Sequence, residues 1–177
     1  MTLRNASRWL GALALVLATA GVAGADEWKE FSSQDGRFSV DLPGTPKQSR
    51  EKRQTKFGSI DAQLVIYSAS KDIFYGVAYL DYPESVVKAH RADELLDGAS
   101  ESAVKGVKGG RVAGQEKILL SGNPGRQVTI DAPGNLKLTV RMYLVKNRLY
   151  QVISSVGKDK EKEADPRRFL DSFKFSG

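Results

Sequence analysis

The 177 residues contain no cysteine and a single histidine, His90. Without cysteine there is no thiol nucleophile, no disulfide framework, no zinc finger and no iron–sulfur ligation. With one imidazole, every site that needs two is excluded. Apolar residues make up 41% of the chain, ordinary for a globular domain and too few for a multi-span membrane protein. No repeat of fixed period and no low-complexity run is present. Charge is plentiful: 27 Lys and Arg stand against 21 Asp and Glu, a formal +6.

Arg4 and Arg8 head an apolar stretch, Leu10 to Val22, which ends in Ala23-Gly24-Ala25 before the acidic Asp26-Glu27. A positive start, a short apolar middle and a small-x-small close are the marks of a secretory signal. The apolar stretch falls short of the roughly 20 residues a helix needs to span a bilayer. Cleavage after Ala25 is therefore expected, with a Sec-type route to the periplasm or beyond and no membrane span in the product. No cysteine follows to carry a lipid, and the separated arginines do not make a twin-arginine signal. The mature chain, Asp26 to Gly177, is read as a single domain. At about 150 residues it buries roughly 68–70% of its unfolded surface, enough for a core without disulfides.

Within that domain the hydrophobic period is mostly two. Phe38, Val40 and Leu42 alternate with polar neighbours until Pro43-Gly44-Thr45-Pro46 stops the strand. Lys47 to Lys56 is polar throughout and reads as an edge strand or a loop. Strands follow from Ile60 and from Ile73 to Leu80, apolar on both sides. Between Glu84 and Lys105 the period changes, and Ala92, Leu95, Leu96, Ala99 and Ala103 form one helical stripe, with Ser85 or Asp93 as its cap. Strand signals resume at Lys117 to Leu120 and Gln127 to Ala132, separated by a turn at Ser121 to Gly125. The clearest strand is Leu136 to Leu144. Asn147, as the left-handed turn residue, leads into its partner, Leu149 to Val156. A type II turn is expected at Ala132-Pro133-Gly134-Asn135. Asp165-Pro166 caps a terminal helix carrying Phe169, Leu170 and Phe173. The expected class is α+β: a central antiparallel sheet of about seven strands with helices packed on it.

No arrangement for catalysis stands out. Ser-x-x-Lys places a hydroxyl one helical turn from a base, but it occurs five times, at Ser49, Ser68, Ser85, Ser102 and Ser155, without companion motifs. His90 has only Asp93 nearby to orient it. The run Lys158 to Glu163 lacks the glycine and glutamate of a calcium loop and reads as a solvated connector. Gly122 to Arg126 lacks the Gly-Lys-Ser/Thr of a phosphate loop and reads as a turn. No cofactor or metal is expected. On charge grounds the candidate surface is Arg50, Lys52, Arg53 and Lys56, together with Lys47, suited to an anionic envelope polymer or headgroup. Lysines on an edge strand also deter sheet-to-sheet aggregation. Arg141, Tyr143 and Tyr150 are candidates to line a pocket between sheet and helix.

Three segments carry a resemblance: Gly36-Arg37-Phe38-Ser39-Val40-Asp41-Leu42-Pro43-Gly44, then Gly125-Arg126, then Arg148-Leu149-Tyr150 followed by Phe169-Leu170-Asp171-Ser172-Phe173. With these the chain resembles exported bacterial proteins of the PsbP/Mog1/DcrB-like group. The resemblance implies an α/β/α sandwich and roles as assembly factors, protein-binding partners or envelope components. It brings no catalytic residues. A lipocalin-like barrel closed by the terminal helix is the alternative fold. The functional expectation is an exported, monomeric, non-enzymatic domain that binds a protein partner or an envelope surface, not nucleic acid. A small-molecule or lipid carrier with a pocket between sheet and helix is the alternative, and a hydrolase the third reading.

Overall fold

Period-two segments joined by tight turns build antiparallel sheet, and that is how most of the chain folds in the computed structural model, which describes residues 27–176. The signal read from residues 1–25 lies outside the described residues. In chain order the elements are β1 (Lys29–Ser33), β2 (Phe38–Leu42), β3 (Lys47–Thr55), β4 (Gly58–Ser70), β5 (Ile73–Asp81), α1 (Glu84–Ala89) and α2 (Ala92–Gly106). Then follow β6 (Arg111–Leu120), β7 (Asn123–Ala132), β8 (Leu136–Val145), β9 (Arg148–Gly157), α3 (Glu161–Ala164), α4 (Pro166–Ser172) and β10 (Lys174–Phe175).

Seven strands form one antiparallel sheet in the order β3-β4-β5-β9-β8-β7-β6. It consists of two meanders, β3–β5 and β6–β9, joined where β5 pairs with β9 and connected through α1 and α2. Its two edges, β3 and β6, do not meet, so the sheet is open and the lipocalin-like alternative is overturned. A second sheet, β1-β2-β10, was not foreseen as a separate layer. It lies with α4 on one face of the large sheet, burying Phe38, Val40 and Leu42 against Tyr75, Val77, Tyr79, Tyr143, Tyr150 and Val152. On the opposite face α2 packs Leu95, Leu96 and Ala99 on Val128, Ile130, Val140 and Met142. The helical stripe read from the sequence is this buried face. Among the described residues no helix is long and apolar enough to cross a membrane.

Several local expectations are corrected. The polar segment from Lys47, read as an edge strand or a loop, is the edge strand, because β4 supplies a full register of backbone partners from Lys47↔Ile66 to Thr55↔Gly58. Neither Ser85 nor Asp93 caps a helix: Pro83 and Arg91 hold the N-cap positions of α1 and α2 without a side-chain bond. Asp165 does cap α4, accepting from the Arg168 backbone N–H. The hairpin after β6 turns on Ser121 and Gly122 (φ +50° and +78°), which leaves Asn123 to Gly125 inside β7. Gly125 is required there, since a Cβ would collide with the Met142 carbonyl and the Tyr143 ring. Gly134 in the β7–β8 loop has the positive φ (+78°) that position i+2 of a type II turn requires, and Asn135 after it is left-handed as well. In the β8–β9 turn Lys146 takes the positive φ (+56°). Asn147 instead donates from Nδ2 to the Tyr82 carbonyl at 3.0 Å, tying the turn to the end of β5.

The run Lys158 to Glu163 is more than a connector. Lys158 pairs with Asp131 at 2.8 Å and Glu161 with Lys137 at 3.2 Å. These pairs seat α3 so that the Tyr75 hydroxyl donates to the Ala164 carbonyl within the core.

Candidate functional site: a trough between helix α2 and the sheet

Strand alternation divides the basic cluster. Arg50 and Lys52 project on one face of β3 and share Asp61, at 2.6 Å and 3.2 Å. Those bonds, from Arg50 first and then Lys52, hold the Asp61 carboxyl below the usual aspartate range. Lys47 and Arg53 belong to the other face, opposite Ile66 and Ile60, and Arg53 pairs with Glu51. The five cations thus do not form one patch. Lys56 stands past the end of β3 with its ammonium 5.0 Å from the Phe57 ring centroid.

Arg141, Tyr143 and Tyr150 come together, on the face covered by the small sheet and α4. Arg141 donates to Asp171 at 2.7 Å, to the Leu170 carbonyl at 3.0 Å and to Gln127 at 2.7 Å, fastening α4. The Tyr150 hydroxyl donates to the Gly36 carbonyl at 2.7 Å, and Tyr143 stacks on Phe173. Burial pushes both phenols above the ordinary tyrosine value. They are packing and tethering groups, and none of the three lines the opening between α2 and the sheet.

That opening is on the other face. α2 lies mainly over β7 and β8. Its position is fixed by a residue that sequence reasoning passed over. Arg126 on β7 has 3% of its surface exposed, and under α2 it donates to Asp93 at 2.6 Å and to Asp97 at 2.8 Å. Lys117 reaches Asp93 at 3.6 Å from β6. The Arg126 hydrogen bond, followed by the Lys117 charge, lowers the Asp93 pKa. The available signal was the spacing: two aspartates four apart on a helix share one face, and here that face meets a buried cation.

With α2 pinned over β7, a trough of about 340 Å³ remains between the helix and the turn from β3 to β4. Its floor is Leu80, Leu138, Val140, Leu149 and Ile153 from the sheet, and its wall is Leu95, Ala99, Ala103 and Val107 from the helix side. Gln151 interrupts the floor between Leu149 and Ile153, and Arg53, Gln54, Thr55, Lys56 and Ser102 bring polar groups to its margin. The small residues Gly98, Ala99, Ala103 and Gly106 keep the helix wall low. No Asp or Glu is among the lining residues.

The other candidates do not converge. His90 lies 3.3 Å from Glu94, an exposed neighbour one turn on, and Asp93 is committed to Arg126. Of the five Ser-x-x-Lys lysines, Lys52, Lys88, Lys105 and Lys158 are ion-paired with carboxylates. Among the described residues no group of three His, Asp or Glu is placed to hold a metal ion.

Compared with solved structures, the chain is similar to the solution structure of cyanobacterial PsbP (CyanoP) from Synechocystis sp. PCC 6803. The TM-score is 0.58 at 11% identity, over 90% of this chain and 98% of that one. The fold is PsbP-like. A crystal structure of PA94 from Pseudomonas aeruginosa, a protein of unknown function described as a putative regulator, is also similar. There the TM-score is 0.43 at 11% identity, over 79% and 90% of the two chains. No protein-family model matches the chain, and no curated protein matches it in sequence. On the PsbP-like frame the trough sits between the long helix and the sheet.

Proposed function

We propose that this chain is an exported, non-catalytic binding domain that takes an apolar ligand into the trough between α2 and the sheet, acting as a monomer. The observation that carries the reading is the trough: an open groove of about 340 Å³ with a mostly apolar floor and wall and a polar margin. That size falls within the about 300–1,000 Å³ of small-ligand pockets, which are built the same way. It supports the carrier alternative of the sequence over a general anionic surface, because the cations of β3 are divided between two faces and Arg50, Lys52 and Arg53 are paired with Asp61 and Glu51. The core on the other face is filled by aromatic side chains.

The test is binding of an uncharged fluorescent probe, N-phenyl-1-naphthylamine. The native chain is expected to bind it, and Ala103→Phe, which fills the trough, to weaken binding at least tenfold with an unchanged melting temperature. Unchanged affinity in Ala103→Phe contradicts the reading.

A protein partner is favoured by a different observation. On the unpaired edge strand β6, Leu119 is 70% exposed and Val112 49% exposed. Such an edge is open to pairing with another chain. Leu119→Ser weakens binding under that reading and leaves the trough's affinity unchanged under the first.

A further inference from the structure

We infer that the trough selects a single-chain anionic amphiphile, with its headgroup on Lys56 and its chain along the floor. This rests on the reading of the trough as the binding site and adds the charge and class of the ligand. Two cations, Arg53 and Lys56, stand at the margin, and no carboxylate lines the cavity. Arg53 is already paired with Glu51. Lys56 has no carboxylate within ion-pair distance among the described residues, and its charge rests on the Phe57 ring. An ammonium over an aromatic face keeps its charge and retains N–H donors for an incoming anion.

Gly98 explains how Lys56 comes to lie there. Glycine in the middle of a helix destabilises it by roughly 0.5–1 kcal/mol relative to alanine, so its presence in α2 calls for a reason. A Cβ at Gly98 would stand 3.1 Å from the Lys56 Nζ and 3.4 Å from its Cε. The lysine therefore reaches from the β3–β4 turn to the helix, with its tip against Gly98 at the margin of the trough. A ligand headgroup meets this ammonium at the point where its chain enters apolar surface. At about 340 Å³ the cavity is at the small end of ligand sites, suited to one chain and not to the two of a phospholipid.

Displacement of N-phenyl-1-naphthylamine by dodecanoate and by dodecyltrimethylammonium, each below its micelle threshold, separates the possibilities. Dodecanoate is expected to bind at least tenfold more tightly than the cationic amphiphile of the same chain. Shortening the carboxylate should weaken it by about fourfold per methylene, the equivalent of about 0.8 kcal/mol of lost burial. Lys56→Glu, a change at an exposed position, should reverse the charge preference without changing the melting temperature. If the uncharged probe binds but the two amphiphiles compete equally, the charge inference falls and the trough reading stands. If neither probe nor amphiphile binds, both fall.

Discussion

The double variant Asp93→Ala/Asp97→Ala is expected to unfold at much lower urea concentration than the native chain. It leaves the Arg126 guanidinium under α2 with the Gly125 carbonyl, 3.1 Å away, as its remaining acceptor. A buried charge stripped of its counter-charges costs about 3–5 kcal/mol, a large part of a typical stability of about 5–15 kcal/mol. Arg126→Met should be far milder, because it removes the charge together with the need to satisfy it and keeps most of the volume. Equal losses in the two variants would contradict this account of how α2 is anchored. The same cluster sets an acid limit. Because Asp93 has a lowered pKa in the folded chain, the stability it contributes is complete above the unfolded aspartate value of about 3.9. It is lost as pH falls below that value and through the folded one. Asp61, Asp81 and Asp131 are lowered for the same kind of reason, each by a basic neighbour. Stability should therefore decline progressively below about pH 4, and the part that belongs to Asp93 should be reduced in Arg126→Met, where Lys117 remains its basic neighbour.

Phe38→Ala is expected to cost about 3–5 kcal/mol, the range for deleting a buried phenyl ring. Phe38 is fully buried and meets Phe31, Tyr79, Tyr150 and Phe173, with ring centroids 5.5–6.3 Å apart. It is thus the point at which the small sheet, β5, β9 and the C-terminal segment hold one another. Urea unfolding followed by tyrosine fluorescence would measure the loss. Trough binding, on the opposite face, should survive in the fraction that stays folded. A loss below 1 kcal/mol would mean that the small sheet is not part of the cooperative unit.

The sequence made the large sheet legible because its strands carry strong period-two signals, above all Leu136 to Leu144. The α2 stripe was equally clear. The small sheet was not, for physical reasons. β1 has one large apolar residue, Phe31, and β10 is two residues long, so both are strands only because β2 lies between them. β3 has no apolar residue, and its pairing with β4 made it a strand. At the site, Tyr143, Tyr150 and Arg141 are candidates to line a pocket, and their parity puts them on the face under the small sheet and not beside α2. The basic cluster looked continuous in one dimension; alternation separates Arg50 and Lys52 from Arg53. Arg126 was read as part of a turn because the glycines around it suit one. Those glycines instead permit close strand packing at Gly125 and a two-residue turn at Gly122.

The central claim is that ligand enters between α2 and the sheet, and amide chemical-shift mapping tests it most directly. Titration of the isotope-labelled chain with N-phenyl-1-naphthylamine should move the amides of residues 53–57, 98–107 and 149–153. Those of α4, β10 and the edge strand β6 should stay in place. Saturable shifts centred on Leu119 and Val112, with the α2 amides unmoved, would contradict it.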